Sequence, residues 1–213
     1  EKNNLPYAIY DENKVLKQYQ FNLLSDFKKA LETDQTYLTY HPVIDLKTMT
    51  ISKFEALIRW LHPEKGLIMP GDFIPLIENT QLVHPLIDWV VTKGLVKLEE
   101  FNKNNIKTNV AFNVSGKNFN DSKLYTKVMA FLKQNKIKPE QVSLEITETV
   151  LMENPESSKE VIRKFKNAGI SIAIDDFGKG YSSFAYLSQF AIDYVKIDRY
   201  FISKIKDESV YEI

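Results

Sequence analysis

The stretch Ile170–Ser183 reads I-S-I-A-I-D-D-F-G-K-G-Y-S-S and combines a short apolar segment with two adjacent carboxylates. Ser171–Ile174 is rich in β-branched residues, which predicts a strand buried on both faces. The segment ends at Asp175 and Asp176, and two glycines follow, which indicates a sharp turn of the backbone. The two acids repel each other, so either they share divalent cations or one of them caps the next helix. This stretch alone leaves both interpretations open.

Length and composition limit the class of protein. The chain has 213 residues, 44% apolar and 26% charged, which is typical of a globular protein of one large or two small domains. Its formal net charge is zero, so no basic field indicates DNA or RNA as a partner. The absence of cysteine excludes disulfides, zinc–thiolate sites and thiol nucleophiles. No membrane helix or signal peptide is evident, so we expect a cytoplasmic location, although the parent protein could be membrane-anchored through another domain.

Strand-like and helix-like segments alternate along the chain. Residues 1–20 are polar and predict a linker from an upstream domain, and because the chain starts with Glu we interpret it as part of a longer protein. The alternation predicts an α/β fold in which βα units surround a parallel sheet. The first two of six predicted strands are close enough for a hairpin. The predicted strands are 37–46, 50–60, 108–115, 141–147, 171–175 and 194–198. The predicted helices are 21–31, 72–79, 82–101, 121–134, 157–168, 182–189 and 200–206.

Polar residues of several strands face away from their apolar neighbours, because side chains alternate between the two faces of a strand. We therefore expect them to converge with the two adjacent acids at one interior end of the sheet. An all-oxygen set of this kind suits Mg²⁺, Mn²⁺ or Ca²⁺ rather than zinc or copper. The alternative is internal pairing of acids with bases, Lys196 with Asp175 and Arg59 with Glu55, but four acids against two bases leave negative charge over. The residues in question are Glu55, Arg59, Asn113, Glu145, Asp175, Asp176 and Lys196.

With these residues assembled, the sequence resembles the EAL domain, the family of cyclic di-GMP phosphodiesterases. The resemblance extends from about Asp26 to the end of the chain. It rests on E-A-L-I-R-W-L-H-P at Glu55–Pro63, G-L-I-M-P-G-D-F-I-P at Gly66–Pro75, F-N-V-S at Phe112–Ser115, L-E-I-T-E at Leu144–Glu148, D-D-F-G-K-G-Y-S-S at Asp175–Ser183 and K-I-D-R-Y-F-I at Lys196–Ile202.

The resemblance implies a modified TIM (β/α)8 barrel whose first strand is antiparallel. Residues 21–213 would form the domain, apparently truncated after the sixth strand, so that the last two βα units are missing. The open edge of the sixth strand would then need to be covered by another chain.

The resemblance also implies a role for each site residue. A Mg²⁺ or Mn²⁺ pair would be held by Glu55, Asn113, Glu145, Asp175 and Asp176. Catalysis would fall to Glu55, Asp175, Asp176 and Lys196, with the lysine near the attacking water. Substrate would contact His41, Leu57, Arg59 and Asp198, with the arginine on a phosphate. Glu148 would stabilise the loop from Asp176 to Ser183, which links metal binding to dimerisation.

The implied activity is two-metal hydrolysis of cyclic di-GMP to linear pGpG, in a homodimer attached to an upstream GGDEF or sensor domain. Two departures from the family pattern matter. His41-Pro42 replaces the usual Gln-Pro of the first strand, from which we expect changed affinity rather than lost chemistry. The further metal-site Glu of the seventh strand is not present, from which we expect a weakened second metal. The alternatives are a non-catalytic receptor of the dinucleotide and a scaffold that binds a partner.

Overall fold

The computed structural model describes residues 12–178 and 187–204, which form one seven-stranded sheet flanked by helices. The strands are β1 (Thr36–Asp45), β2 (Thr50–His62), β3 (Gly66–Ile68), β4 (Asn109–Asn113), β5 (Val142–Thr147), β6 (Ser171–Phe177) and β7 (Tyr194–Ile197). The helices are α1 (Glu12–Ala30), α2 (Pro70–Glu78), α3 (Val83–Lys103), α4 (Gly116–Phe119), α5 (Ser122–Gln134), α6 (Glu148–Glu153), α7 (Pro155–Asn167) and α8 (Arg199–Lys204).

The sheet has the strand order β1-β2-β4-β5-β6-β7. β1 and β2 form the predicted antiparallel hairpin, and from β2 to β7 each successive pair in this order is parallel. The mostly parallel sheet with an antiparallel first strand confirms the predicted fold class, a TIM-like barrel. β3 was not predicted; it is a three-residue strand that pairs antiparallel with the end of β2. Three residues are too few to show the alternation of apolar and polar residues that marks a strand in a sequence.

The outer face of the sheet packs against the helices and forms the core. Trp60 of β2 lies against Phe27 of α1 and Phe73 of α2, with ring centroids 5.1 to 5.5 Å apart. Edge-to-face and tilted aromatic pairs of this kind favour a fixed orientation. The aromatic cluster therefore holds α1 and α2 against β2. Phe112 of β4 is fully buried under α3 in the same way.

Helix α1 begins at Glu12, within the residues predicted as linker, rather than at Phe21. Its buried face includes Leu23 and Phe27, so a helix was correctly expected here, but Phe21, at which we started it, is 69% exposed and the polar turns before it were not recognised as helical. The short helices α4 and α6 were also missed, because each is shorter than the window over which helical periodicity is visible. The predicted helix 182–189 lies mainly outside the described residues. Among the described residues, no helix has both the length and the apolar content needed to cross a bilayer.

Replacing Gly94 by alanine tests the packing of α3 on the sheet. A Cβ atom at this position would lie 2.2 Å from Cε1 of the buried Phe112 ring, so either the helix or the ring must move. We expect G94A to lower the free energy of unfolding by about 1–3 kcal/mol, measured by urea denaturation. Gly71 is the matched control, because a Cβ there meets no atom within 4 Å. If G94A and G71A are equally stable, α3 does not pack on Phe112 as described.

Candidate metal centre

Three acidic side chains meet where the parallel strands end. Glu55 of β2, Glu145 of β5 and Asp175 of β6 each offer a carboxylate oxygen, and these oxygens lie within 4.8 Å of one another. The strands are staggered, since Glu55 is opposite Ala111 whereas Glu145 is opposite Asn113. The stagger expected of a barrel thus brings side chains from different register positions to one level. We call Glu55, Glu145 and Asp175 the acidic triad.

Lys196 of β7 reaches into the acidic triad. Its Nζ lies 2.5 Å from Oε2 of Glu145, 3.1 Å from Oδ2 of Asp175 and 3.2 Å from Oε2 of Glu55. Burial alone would lower the pKa of Lys196, but the three carboxylates, Glu145 first, outweigh burial and raise it above its ordinary value. The lysine is therefore protonated at neutral pH. Of the two internal pairs considered from the sequence, Lys196 with Asp175 is present, as part of this larger contact.

Glu145 is the most deeply buried member of the triad, with 1% of its surface exposed. Its Oε2 accepts a hydrogen bond from Lys196, while Oε1 has no hydrogen-bond partner and lies 3.5 Å from Nζ of Lys53. Burial raises the pKa of Glu145, and the two lysines oppose that shift. Burial likewise lowers the pKa of Lys53, against the pull of Glu145. A buried carboxylate oxygen without a hydrogen bond is a position that a cation would satisfy.

Asn113 and Asp176 adjoin the triad without belonging to it. The amide Nδ2 of Asn113 donates a hydrogen bond to Oε1 of Glu55 at 2.6 Å, so its side-chain oxygen is directed elsewhere and remains available as a ligand atom. Asp176 has a backbone φ of 55° and donates its N–H to Oδ1 of Asp175 at 2.9 Å. A positive φ is uncommon for a non-glycine residue and often occurs at functional sites. It turns the chain immediately after the triad.

A cleft of about 720 Å³ opens over the triad. It is lined by Leu57, Asn113 and three of the four acids predicted as metal ligands, Glu145, Asp175 and Asp176. Residues of α2 and α3 complete the lining. His41 is exposed on β1, directly opposite Glu55 in the strand register. One opening therefore brings together Leu57 and four of the five predicted metal ligands, whereas Glu55 and His41 are not part of its lining. A cleft of this volume is in the range of small-molecule sites.

Besides His41 and Lys196, three predicted residues lie outside the triad and the cleft lining. Nη1 of Arg59 donates to the carbonyl of Ile58 at 2.8 Å. The pairing with Glu55, considered as an alternative to metal binding, is not among the ion pairs of residues 12–178 and 187–204. Asp198 is buried and its Oδ1 accepts the backbone N–H of Tyr200, as a cap of α8. Glu148 is buried at the first position of α6.

Sequence reasoning missed Lys53. It lies two residues before Glu55 on β2, and strand alternation places both on the interior face. Its ammonium lies 3.6 Å from the centroid of the Tyr194 ring. The alternation that places Glu55 on the interior face applies equally to Lys53, so the pattern that located Glu55 could also have located Lys53.

The donor set fits a divalent cation of the oxygen-preferring class. The described ligand atoms are carboxylate and amide oxygens, which suit Mg²⁺, Mn²⁺ or Ca²⁺. Three acids face two lysines, so the cluster retains negative charge. Oε1 of Glu145, which makes no hydrogen bond and lies 3.5 Å from the Lys53 ammonium, is a further sign of fit. The triad therefore provides the oxygens needed to hold a divalent metal.

Neutralising Glu145 tests this cation site directly. We expect E145Q to weaken Mn²⁺ binding at least about tenfold, because a charged oxygen ligand is replaced by a neutral one. Electron paramagnetic resonance of free Mn²⁺ measures the affinity. Glu156 is the control: it is 85% exposed and remote from the triad, and E156Q should bind Mn²⁺ like the wild type. Equal affinities for E145Q and wild type would exclude Glu145 as a ligand.

A family model described as the EAL domain matches residues 24–213. Cyclic di-GMP phosphodiesterase PA2567 of Pseudomonas aeruginosa is 37% identical over 186 residues, which cover 87% of this chain and 32% of the relative. Cyclic di-GMP phosphodiesterase PdeR of Escherichia coli is 35% identical over 186 residues, which cover 87% of this chain and 28% of the relative. The chain thus spans about a third of the length of these curated relatives.

A solved structure of PaMucR phosphodiesterase in complex with c-di-GMP has the same fold. It matches with a TM-score of 0.83 and 34% identity over 88% of this chain and 76% of that chain. The EAL enzyme Bd1971, solved in a form with cAMP and cyclic di-GMP bound, matches with a TM-score of 0.83 and 30% identity, over 91% of this chain and 54% of that chain.

Proposed function

The chain belongs to the EAL domain family, and we propose that it hydrolyses cyclic di-GMP to linear pGpG, lowering the level of this second messenger. The observation that carries the proposal is the acidic triad, with Lys196 at its centre, beneath a cleft of small-molecule size. The relatives PA2567 and PdeR are named as cyclic di-GMP phosphodiesterases, which supports the choice of substrate.

We further propose that Mg²⁺ or Mn²⁺ is the cofactor, in a two-metal site. The ions would be held by side-chain oxygens of Glu55, Asn113, Glu145, Asp175 and Asp176. Bound divalent cations lower the pKa of water and neutralise charge that develops on a phosphodiester. The protein's contribution is to keep these oxygens together without a cation, and Lys196 supplies the positive charge that makes this possible.

Lys196 acts as a cationic donor in this proposal and not as a general base. Its pKa is raised by the carboxylates around it, so it keeps its proton at neutral pH. A protonated lysine can donate hydrogen bonds to the attacking water or to a phosphate oxygen. Glu55, Asp175 and Asp176 complete the set of residues that we propose to be catalytic.

Substrate binding is proposed to involve the walls of the cleft and its approaches. Leu57 lines the cleft and offers apolar contact to a base. Arg59 can bind phosphate oxygens bidentately once its guanidinium leaves the Ile58 carbonyl. His41 is exposed beside Glu55, where a ring can stack or donate a hydrogen bond. Asp198 caps α8, so its proposed effect on substrate passes through the position of that helix. Glu148 is proposed to stabilise the loop after Asp176.

The activity test uses cyclic di-GMP with Mg²⁺ or Mn²⁺ and separates products by chromatography. We expect linear pGpG from the wild type, no product with EDTA, and recovery when Mn²⁺ is restored, because the carboxylates then regain their cation. D175N should reduce kcat by at least about a hundredfold. K133M, which changes an exposed lysine remote from the cleft, should leave kcat unchanged. Tight binding of the dinucleotide without any linear product would reject catalysis.

A receptor that binds cyclic di-GMP without turnover is the second candidate. It is favoured by the contact of Lys196 with all three acids, which compensates the charge of the site internally. The presence of every proposed metal ligand favours the enzyme. The same product assay distinguishes the two functions.

Partners and location are proposed from the same family membership. We propose a homodimer, an upstream GGDEF or sensor domain in the same polypeptide, reached through the N-terminal residues, and a cytoplasmic location. The relative MucR is named as a bifunctional diguanylate cyclase and phosphodiesterase, which supports an attached GGDEF domain.

A further inference from the structure

A second layer of side chains lies directly beneath the acidic site. Each member precedes a site residue by two positions on its strand and so points to the same interior face. Two of the five are alanines with no exposed surface, which leaves room for the larger members. The layer consists of Lys53, Ala111, Ser143, Ala173 and Tyr194, below Glu55, Asn113, Glu145, Asp175 and Lys196 respectively.

The long side chains of this layer hold a positive charge under Glu145. The ammonium of Lys53 lies 3.6 Å from the centroid of the Tyr194 ring and 3.5 Å from Oε1 of Glu145. The Tyr194 hydroxyl is in turn hydrogen-bonded to Ser143, which fixes the ring. The Lys53 side chain is 15% exposed. Stacking on an aromatic face and pairing with a buried carboxylate together keep the ammonium in place.

We propose that Lys53 is a resident counter-charge that limits the affinity of the acidic triad for divalent cations. The inference rests on the proposed cation-binding role of the triad but not on the identity of the substrate. Lys53 stabilises the cation-free protein, because it offsets the charge of Glu145. It also repels a cation bound at the same carboxylates. Both effects reduce cation affinity.

One effect acts in the opposite direction. Lys53 also orients Glu145, and loss of that contact could weaken a ligand. However, Glu145 is 1% exposed and its other oxygen is held by Lys196 at 2.5 Å, so its orientation does not depend on Lys53 alone. The charge effect therefore dominates, since a partly buried unit charge a few ångströms away is worth several times the energy that it has in water. Lys53 thus sets the cation concentration at which the site fills.

The test compares Mn²⁺ affinities of the full chain by electron paramagnetic resonance, without substrate. We expect K53M to bind Mn²⁺ on the order of tenfold more tightly than wild type, because methionine keeps the apolar stem and loses the charge. K53R, which keeps the charge, should bind like wild type. K133M removes an exposed lysine elsewhere and should have no effect.

Thermal unfolding in EDTA is the second readout. In EDTA, K53M should melt at a lower temperature than wild type. With saturating Mn²⁺ the two melting temperatures should become equal, because the bound cation replaces the missing charge. If K53M folds only in the presence of Mn²⁺, that result supports the inference. The Mn²⁺ affinity is then measured on K53Q instead. Equal or weaker Mn²⁺ binding by K53M overturns the role of Lys53 alone. Absence of Mn²⁺ binding by all variants, wild type included, overturns the cation site and this inference with it.

Discussion

The burial of the Glu145 carboxylate is the constraint on which the rest of the site depends. Removing a carboxylate from water costs several kcal/mol unless other charges compensate it. Glu145 is 1% exposed, and two lysines divide its oxygens between them, Lys196 at the level of the triad and Lys53 beneath. The two lysines come from the second and the last described strands. The compensation therefore requires the sheet to curve so that distant strands face each other.

The same compensation explains why the site is available for chemistry. In the protein without a bound metal, lysine ammoniums hold the three acids together. Without the ammoniums, the mutual repulsion of the carboxylates would drive them apart. A divalent cation carries twice the charge of one ammonium and accepts more oxygen ligands, so it can compete for the same carboxylates. The cleft lined by Glu145 and Asp175 would then give the proposed phosphodiester substrate access to that charge. Structure, metal binding and the proposed hydrolysis thus depend on one balance of charges.

Much of this could be predicted from the sequence. The apolar runs of β4, β5 and β6 and the polar residue near the end of each strand were visible, because strand alternation is strict and the motifs are long. The alternation also identified Glu55 and Lys196 as interior residues. The end of α1 was well placed, but its start was not, because the sequence there is polar and shows no apolar periodicity that would mark a helix.

Side-chain partners were less predictable than strands. Whether Arg59 pairs with Glu55 or with a backbone carbonyl depends on rotamers, which no sequence pattern specifies. Asp198 looked like a substrate residue within a motif, yet its carboxylate caps α8 in the structure. Lys53 lay outside every quoted motif, and its contact with Tyr194 joins residues 141 positions apart, which only the folded sheet reveals.

Anomalous diffraction from a crystal soaked in Mn²⁺ tests the central claim most directly. The account predicts a manganese peak bound by oxygens of Glu55, Glu145 and Asp175, with the Lys196 ammonium no longer in contact with all three. A well-ordered site in which Lys196 keeps its three carboxylates and no manganese peak appears would contradict it.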